Sequence, residues 1–432
     1  MIDGLRKIAA LLAPLGRRGG RRSAPDFPDP VFDPPDEPDL YVPDRAATAK
    51  RLIVEGWRFL PHSYAIVNQW QLLALARRGD VSLKVRDIPF FRQRWQEEPG
   101  LFGPRREALL RSLPAADPGE GADATLRFSV PFDFSLSPSG RTAVFATSEN
   151  QMVHRAQLGG EEAYRRLCAS GPPAELVLFT PSRWSAEGFY KVGFSPEQVA
   201  IVPYGVDSAL FRPMPELRAA VRAALGIAER EFVFLSVGAM TGNKGTDLIL
   251  RAFAEVKRLH PRVRLVLKGM DPLFDSKDFL SRAMMGLSER DRSGLGDRLV
   301  YLGQALSFAR MAALYQAADA YVSPYRAEGF NMPVLEAAAC GLPLICTRGG
   351  ATDDFVTDAF ARRIESRTVS VEVEDQLGLR LEPDLGHLIE LMTSAVGDED
   401  WRRAASRAGP PHVRASFSWD AVAERLLRRL AN

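Results

Sequence analysis

Ser323–Cys346 reads SPYRAEGFNMPVLEAAACGLPLIC. An apolar run ends near Pro324. Pro333 suits the first turn of a helix, where its missing N–H costs nothing. Gly341 ends that helix and Pro343 prevents its continuation. LPLICT, up to Thr347, then reads as a strand. Glu328 falls on the loop and Glu336 about one turn into the helix. Gly329 lets a ligand approach the backbone, and Asn331 tolerates unusual backbone angles. Free N–H groups at a helix start make an anion site that needs no side chain. Two carboxylates beside such a site need positive partners from elsewhere in the chain.

The same alternation runs through the sequence. RLIVEGW, VSLKVRD, ATLRFSV, RTAVFATS, ELVLFTP and QVAIVPY are strands, with NQWQLLALARRGD helical between the first two. VPYGVDSALFRP is a connector rich in turn residues. Beyond it EFVFLSVG, VRLVLKG, RLVYLG and DAYVSPY alternate with the helices TDLILRAFAEVKRL and ARMAALYQAA. Apolar strands alternating with helices predict two parallel α/β units, whose strand ends face a shared cleft. The expected divisions are a tail over 1–50, a first unit over 51–205, a second over 206–415, and a closing amphipathic helix over 416–432.

Composition excludes several classes of function. Of 432 residues, 46% are hydrophobic and 25% charged, as in ordinary globular domains. Lys+Arg 56 against Asp+Glu 54 gives a net charge of +2, so nothing demands a nucleic-acid partner. The apolar runs are too short to span a bilayer. Cys168, Cys340 and Cys346 lack paired spacing and read as reduced core residues of a cytoplasmic protein. No His/Cys set has zinc spacing, and Asp398-Glu399-Asp400 reads as a solvated helix start. Leu5, Ile8, Ala9 and Leu12 have helical spacing, followed by arginines and a Pro/Asp-rich linker. Residues 1–22 therefore read as a frayed terminus, or as a weak peripheral foot on anionic lipid.

A positive partner stands in SVGAMTGNKGTD. Gly238 ends a strand, Gly242 and Gly245 keep the loop slim, and Lys244 precedes a helix. Asn243 and Gly245 flank that lysine, so the Gly-Lys-Ser/Thr succession of a P-loop is missing.

Together, EGFNMPVLE and VGAMTGNKG resemble the Glu-x7-Glu motif and the glycine-lysine phosphate loop of retaining glycosyltransferases of the GT-B fold, family 4 in particular. VPYGVDSALFRP and FSWDAVAERLL resemble the family's connector and closing helix. The likeness is strong over about Pro181–Thr357, weaker over 51–180 and absent over 1–50. It implies an α/β fold of two Rossmann-like domains. It also implies transfer of a sugar from a nucleotide diphosphate to a hydroxyl acceptor, with no metal or cofactor. Glu336 would hold the donor ribose and Glu328 would sit by the donor sugar. The backbone of Gly329, Phe330, Asn331 and Met332 would meet sugar and phosphates, and Lys244 with the backbone near Gly238 would neutralise the diphosphate.

Departures accompany the likeness. Ala239 stands where many members carry arginine, so a phosphate cation is missing or comes from elsewhere. Lys268 is a candidate, a solvated strand end being the plain alternative. EGFNMP replaces the common EGFGLP, which changes the wall of the sugar pocket. Members often place a histidine of the first domain near the sugar. In the expected loop stand Glu149 and Asn150, with His154 further on, and His62 lies on the loop after the first strand. Either histidine also suits an ordinary polar surface role. Rival functions on the same architecture are a nucleotide-sugar epimerase or hydrolase, and a non-catalytic binding module.

Overall fold

The computed structural model describes residues 43, 46, 48–373 and 375–431. The expected short helix within 1–22 and the Pro/Asp-rich linker lie outside the described residues. Two parallel sheets carry the fold, each of six strands. The first contains β1 (Lys50–Gly56), β2 (Val81–Asp87), β3 (Ala124–Phe128), β4 (Thr142–Phe145), β5 (Val177–Thr180) and β6 (Val199–Ile201). Its order is β2-β1-β3-β4-β5-β6. The second contains β7 (Phe232–Val237), β8 (Val263–Lys268), β9 (Leu299–Leu302), β10 (Ala320–Ser323), β11 (Leu344–Thr347) and β12 (Ala361–Ile364). Its order is β12-β11-β10-β7-β8-β9. Every residue of β3, β4, β5, β10 and β11 is buried, as strands covered by helices on both faces must be.

Strand order places the ligand site before any side chain is considered. In the second sheet the chain runs outward from β7 through β8 to β9, then returns to the other side of β7 as β10. The loops after β7 and β10 therefore leave in opposite directions, and the crevice between them is the switch point where open α/β sheets bind ligands. Both loops carry the motifs singled out above.

The helices α1 (Ser63–Ala76), α2 (Thr246–Leu259) and α3 (Met332–Ala339) start at that crevice, while α4 (Glu399–Ser416) packs on α3 and α5 (Trp419–Ala431) on α1. α3 starts and stops where its sequence requires. Asn331 precedes it at φ +78° and Pro333 lies in its first turn. At its end the Leu342 N–H donates to Ala337 O and the Gly341 N–H to Ala338 O, with Gly341 at φ +78°. This is a Schellman stop, which needs a left-handed residue where Gly341 stands. α1 is buried almost all round. One side covers the first sheet, while Trp70 packs on Phe308 of the second unit and stacks on Trp419 of α5. The chain thus crosses between units twice, after β6 and again just before α5. At the second crossing Val206 pairs with Ser418, and a Cβ on Gly205 would lie 2.7 Å from the Trp419 ring.

One expectation needs correction. Cys340 and Cys346 are buried, but Cys168 is exposed on the helix Glu161–Ser170, whose buried position is Leu167. Residues 361–416, which carry no clear alternation, form β12, an antiparallel hairpin of β13 (Ser366–Val373) and β14 (Gln376–Pro383), a helix over Leu385–Gly397, and α4. Asp398 caps α4 by accepting from the Trp401 N–H and also binds Arg362. The acidic triplet is therefore a helix start.

Candidate functional site

β7 ends at Val237. Gly238 follows, then a single helical turn over Gly242–Lys244, then Gly245 at φ +69°, then α2. A Cβ on Gly245 would lie 2.0 Å from Pro324 O, so only glycine lets this loop lie against the end of β10. Lys244 is thereby brought to the Glu328 loop, and its Nζ lies 2.5 Å from Glu328 Oε1. Two glutamates and a lysine, 84 residues from the first of them, meet at one switch point.

Burial and the facing charges shift both partners. Loss of solvent raises the pKa of the buried Glu328, Lys244 opposes that rise, and Glu149 adds to it. Burial pulls Lys244 down, but Glu328 and then Glu149 outweigh it, so its pKa is raised. Glu149 is exposed in the cleft opposite the pair and accepts from Asn243 Nδ2 at 3.0 Å. Glu336 is half-buried on α3, where burial raises its pKa to about 7 against the hydrogen bond from the Tyr315 hydroxyl at 2.7 Å.

Of the two helix starts at the crevice, α3 is the better anion site. Asp247 lies in the first turn of α2 and binds Arg326 at 2.6 Å, so its positive end is already answered. α3 has neither an acidic residue in its first turn nor a side chain capping its N-terminus. The Asn331 amide instead donates to Ser323 Oγ. The φ of Asn331 also explains why asparagine can stand where the common motif has glycine.

Two adjoining cavities occupy the cleft, of about 170 and 160 Å³. They share Val237, Gly238, Met332 and Pro333. The larger is mostly apolar and holds Glu336, Lys268, Met270 and Phe274. The smaller holds Lys244, Glu328 and Glu149, with Tyr64, Thr147 and Tyr204 from the first unit. Thr147 Oγ1 and the Tyr204 hydroxyl lie 2.9 Å apart, and the Thr147 N–H donates to the Tyr64 hydroxyl. Burial raises the pKa of both tyrosines, so they stay neutral.

The units touch across the cleft. A Cβ on Gly329 would lie 1.9 Å from Thr147 Cγ2, and Gly329 O accepts from Ser182 Oγ at 2.7 Å. Phe330 lines the smaller cavity and packs on Tyr204 and Phe355.

The remaining candidates lie as follows. Lys268 is not a solvated strand end: it is buried, its ammonium donates to Gly269 O, and burial lowers its pKa to about 8. Its side chain lines the larger cavity. With Ala239 in place of arginine, Lys244 and Lys268 are the cations lining the two cavities among the described residues. His62 is no free surface histidine. Its Nδ1 caps α1 by accepting from the Tyr64 N–H, and its ring packs among Trp57, Trp95 and Phe274 of the opposite unit. Burial lowers its pKa to about 4. His154 caps the turn Arg155–Leu158. Sequence reading missed Tyr64, Thr147, Tyr204 and Tyr315. Thr147 stands two residues before Glu149 in the loop where the resemblance leads one to expect a histidine, but hydroxyls have no distinctive spacing.

Residues 218–373 match the family of glycosyl transferases group 1. Over 232 residues the chain is 32% identical to a D-inositol 3-phosphate glycosyltransferase of Segniliparus rotundus, covering 54% of this chain and 46% of that protein. The chain thus spans about half the length of the curated relatives it matches. Among solved structures it is similar to Anabaena Alr3699/HepE in complex with UDP and glucose, with TM-score 0.62 and 14% identity over 88% of this chain and 99% of that one. It is also similar to a glycosyltransferase from Rickettsia africae, with TM-score 0.63 and 11% identity over 88% and 98%. The match to glycosyl transferases group 1 thus falls within the second unit, and the two facing sheets are the GT-B fold.

Proposed function

We propose that the protein transfers a sugar from a nucleotide-diphosphate sugar to a hydroxyl acceptor, with retention of anomeric configuration and without a metal. One observation carries this reading: Lys244, Glu328, Glu336 and the uncapped start of α3 converge at the switch point of the second sheet, around cavities closed by the first unit. The larger cavity takes base and ribose, with Glu336 accepting from ribose hydroxyls. The diphosphate lies between Lys244 and α3. Glu328 holds the lysine, so donor binding exchanges a carboxylate for a phosphate on Lys244. Glu328 is then left facing the sugar, where positive charge develops as the leaving group departs. Glu149 faces the same space from the first unit, and the neutral hydroxyls of Tyr64 and Tyr204 suit a hydroxyl acceptor.

Departure of the nucleotide builds negative charge on the diphosphate, and Lys244 with the α3 dipole answers it there. Transfer in excess chelator therefore keeps nearly full rate, and a strict manganese or magnesium requirement would contradict the site. UDP-glucose, in complex with one structural neighbour, is the first donor to test, and UDP the first free nucleotide. A donor at 100 times its dissociation constant adds roughly 2.7 kcal/mol of stability, which a thermal-shift panel resolves. Product analysis then separates transfer from hydrolysis or epimerisation. A panel without any shift would remove the reading.

A further inference from the structure

We infer that the β13–β14 hairpin is a cross-cleft clasp that positions the loop carrying Glu149, with Gln376 as its principal positioning residue. The hairpin belongs to the second unit and is rooted beside the donor loops. Its Leu381 N–H donates to Arg326 O, and the Arg326 guanidinium binds Glu382 and Asp247. From that root it crosses to the first unit. Gln376 is buried, and its amide spans two backbone groups there, accepting from the Arg155 N–H at 3.0 Å and donating to Val153 O at 3.1 Å. The Leu379 N–H donates to Asn150 O at 2.7 Å, directly after Glu149. Gly378 makes this approach possible, because a Cβ there would lie 2.5 Å from Met152 Sδ and 2.9 Å from Asn150 O. Further along, Leu379 and Leu381 pack on Trp184, whose indole N–H donates to Glu149 O at 2.6 Å.

The contacts close a circuit. Glu149 accepts from Asn243, whose backbone O accepts from the Arg326 N–H, and Arg326 holds the hairpin that holds the loop of Glu149. None of these contacts is made by a side chain assigned to the nucleotide. Loosening the clasp should therefore disturb the placement of Glu149 over the sugar while leaving nucleotide binding intact.

This inference rests on the proposed role of Glu149, and the experiment separates the two. Gln376→Met keeps the shape and removes both hydrogen bonds. Its kcat should fall about tenfold while calorimetric affinity for UDP stays within about twofold. Amide exchange over residues 150–157 should accelerate in the same variant. Gly378→Val presses on the same contact from the other side and should give the same pattern, which covers the case of a poorly folding Gln376 variant. If Glu149→Gln lowers kcat but Gln376→Met and Gly378→Val do not, the clasp is overturned and the role of Glu149 stands. An unchanged kcat in Glu149→Gln overturns both. Loss of UDP affinity in step with kcat would mean general damage to the cleft, and would also overturn the clasp.

Discussion

Glu336 and Glu328 should fail differently when neutralised. In the proposed site Glu336 grips the ribose, a part of the donor unchanged during transfer, so Glu336→Gln should raise KM more than it lowers kcat. Glu328 faces the reacting sugar, so Glu328→Gln should mainly lower kcat. A hydrogen bond to a charged group contributes about 1.5–3 kcal/mol, making either loss roughly 10- to 100-fold. Because Glu328 competes with the phosphates for Lys244, its neutralisation should leave nucleotide affinity unchanged or tighter. Calorimetry with the free nucleotide checks this, and weaker binding in Glu328→Gln than in Glu336→Gln would reverse the two roles. The pKa of about 7 at Glu336 adds a pH test. If the ionised carboxylate binds the ribose, a proton must leave on binding at lower pH. Affinity for a nucleotide-diphosphate sugar should then fall by up to about tenfold per pH unit below 7 and level off above it. Glu336→Gln should flatten that profile. For the empty protein the sign is opposite. The folded state holds the carboxyl above its unfolded value of about 4.3, so stability falls as pH rises from there to about 7 and changes no further through this group.

At the loop after β7, the argument turns on backbone rather than charge. Gly245→Ala puts a Cβ into a left-handed position and against Pro324 O. Such backbone strain costs about 1–3 kcal/mol. The loop should relieve it by moving away from β10, which takes Lys244 from the site. Donor affinity should drop about tenfold or more while the melting temperature moves only a few degrees. Equal donor affinity would show that Lys244 does not depend on this contact. Loops of this kind were legible in the sequence because glycine and proline act locally: Gly245, Pro333 and Gly341 each mark a turn whose geometry needs them. The hairpin was not legible. A two-residue period in QLGLRLEP puts the leucines inside, yet Leu377 is exposed while Gln376 and Gly378 are buried. The surface they meet is the polar backbone of another unit's loop, and no periodicity in one strand can announce that. α4 shows the same limit, since Pro410 and Pro411 argue for a break and the helix continues. It crosses α3 where a Cβ on Gly409 would lie 2.8 Å from Ala338 O, and tertiary packing overrides local preference.

Across the two units, the alternation of strands and helices was enough to foresee both sheets, because continuous apolar runs are what doubly covered strands require. What it could not foresee is how the units are joined. α5 packs on α1 of the first unit although it follows the whole of the second, and Trp419 stands at the centre of that contact against Trp70 and Gly205. Trp419→Ala should cost about 3–5 kcal/mol, seen as a lower midpoint in denaturant. A loss under about 1 kcal/mol would mean that α5 rests loosely on the body. The placement of α5 also orders events at the ribosome. The first sheet and α1 emerge early, but the helix that covers Trp70 is the last part of the described chain to leave the exit tunnel. Until α5 has emerged, the nascent first unit carries an uncovered aromatic face. A truncated product, or a ribosome stalled within the second unit, leaves that face open to chaperones and to other unfinished chains.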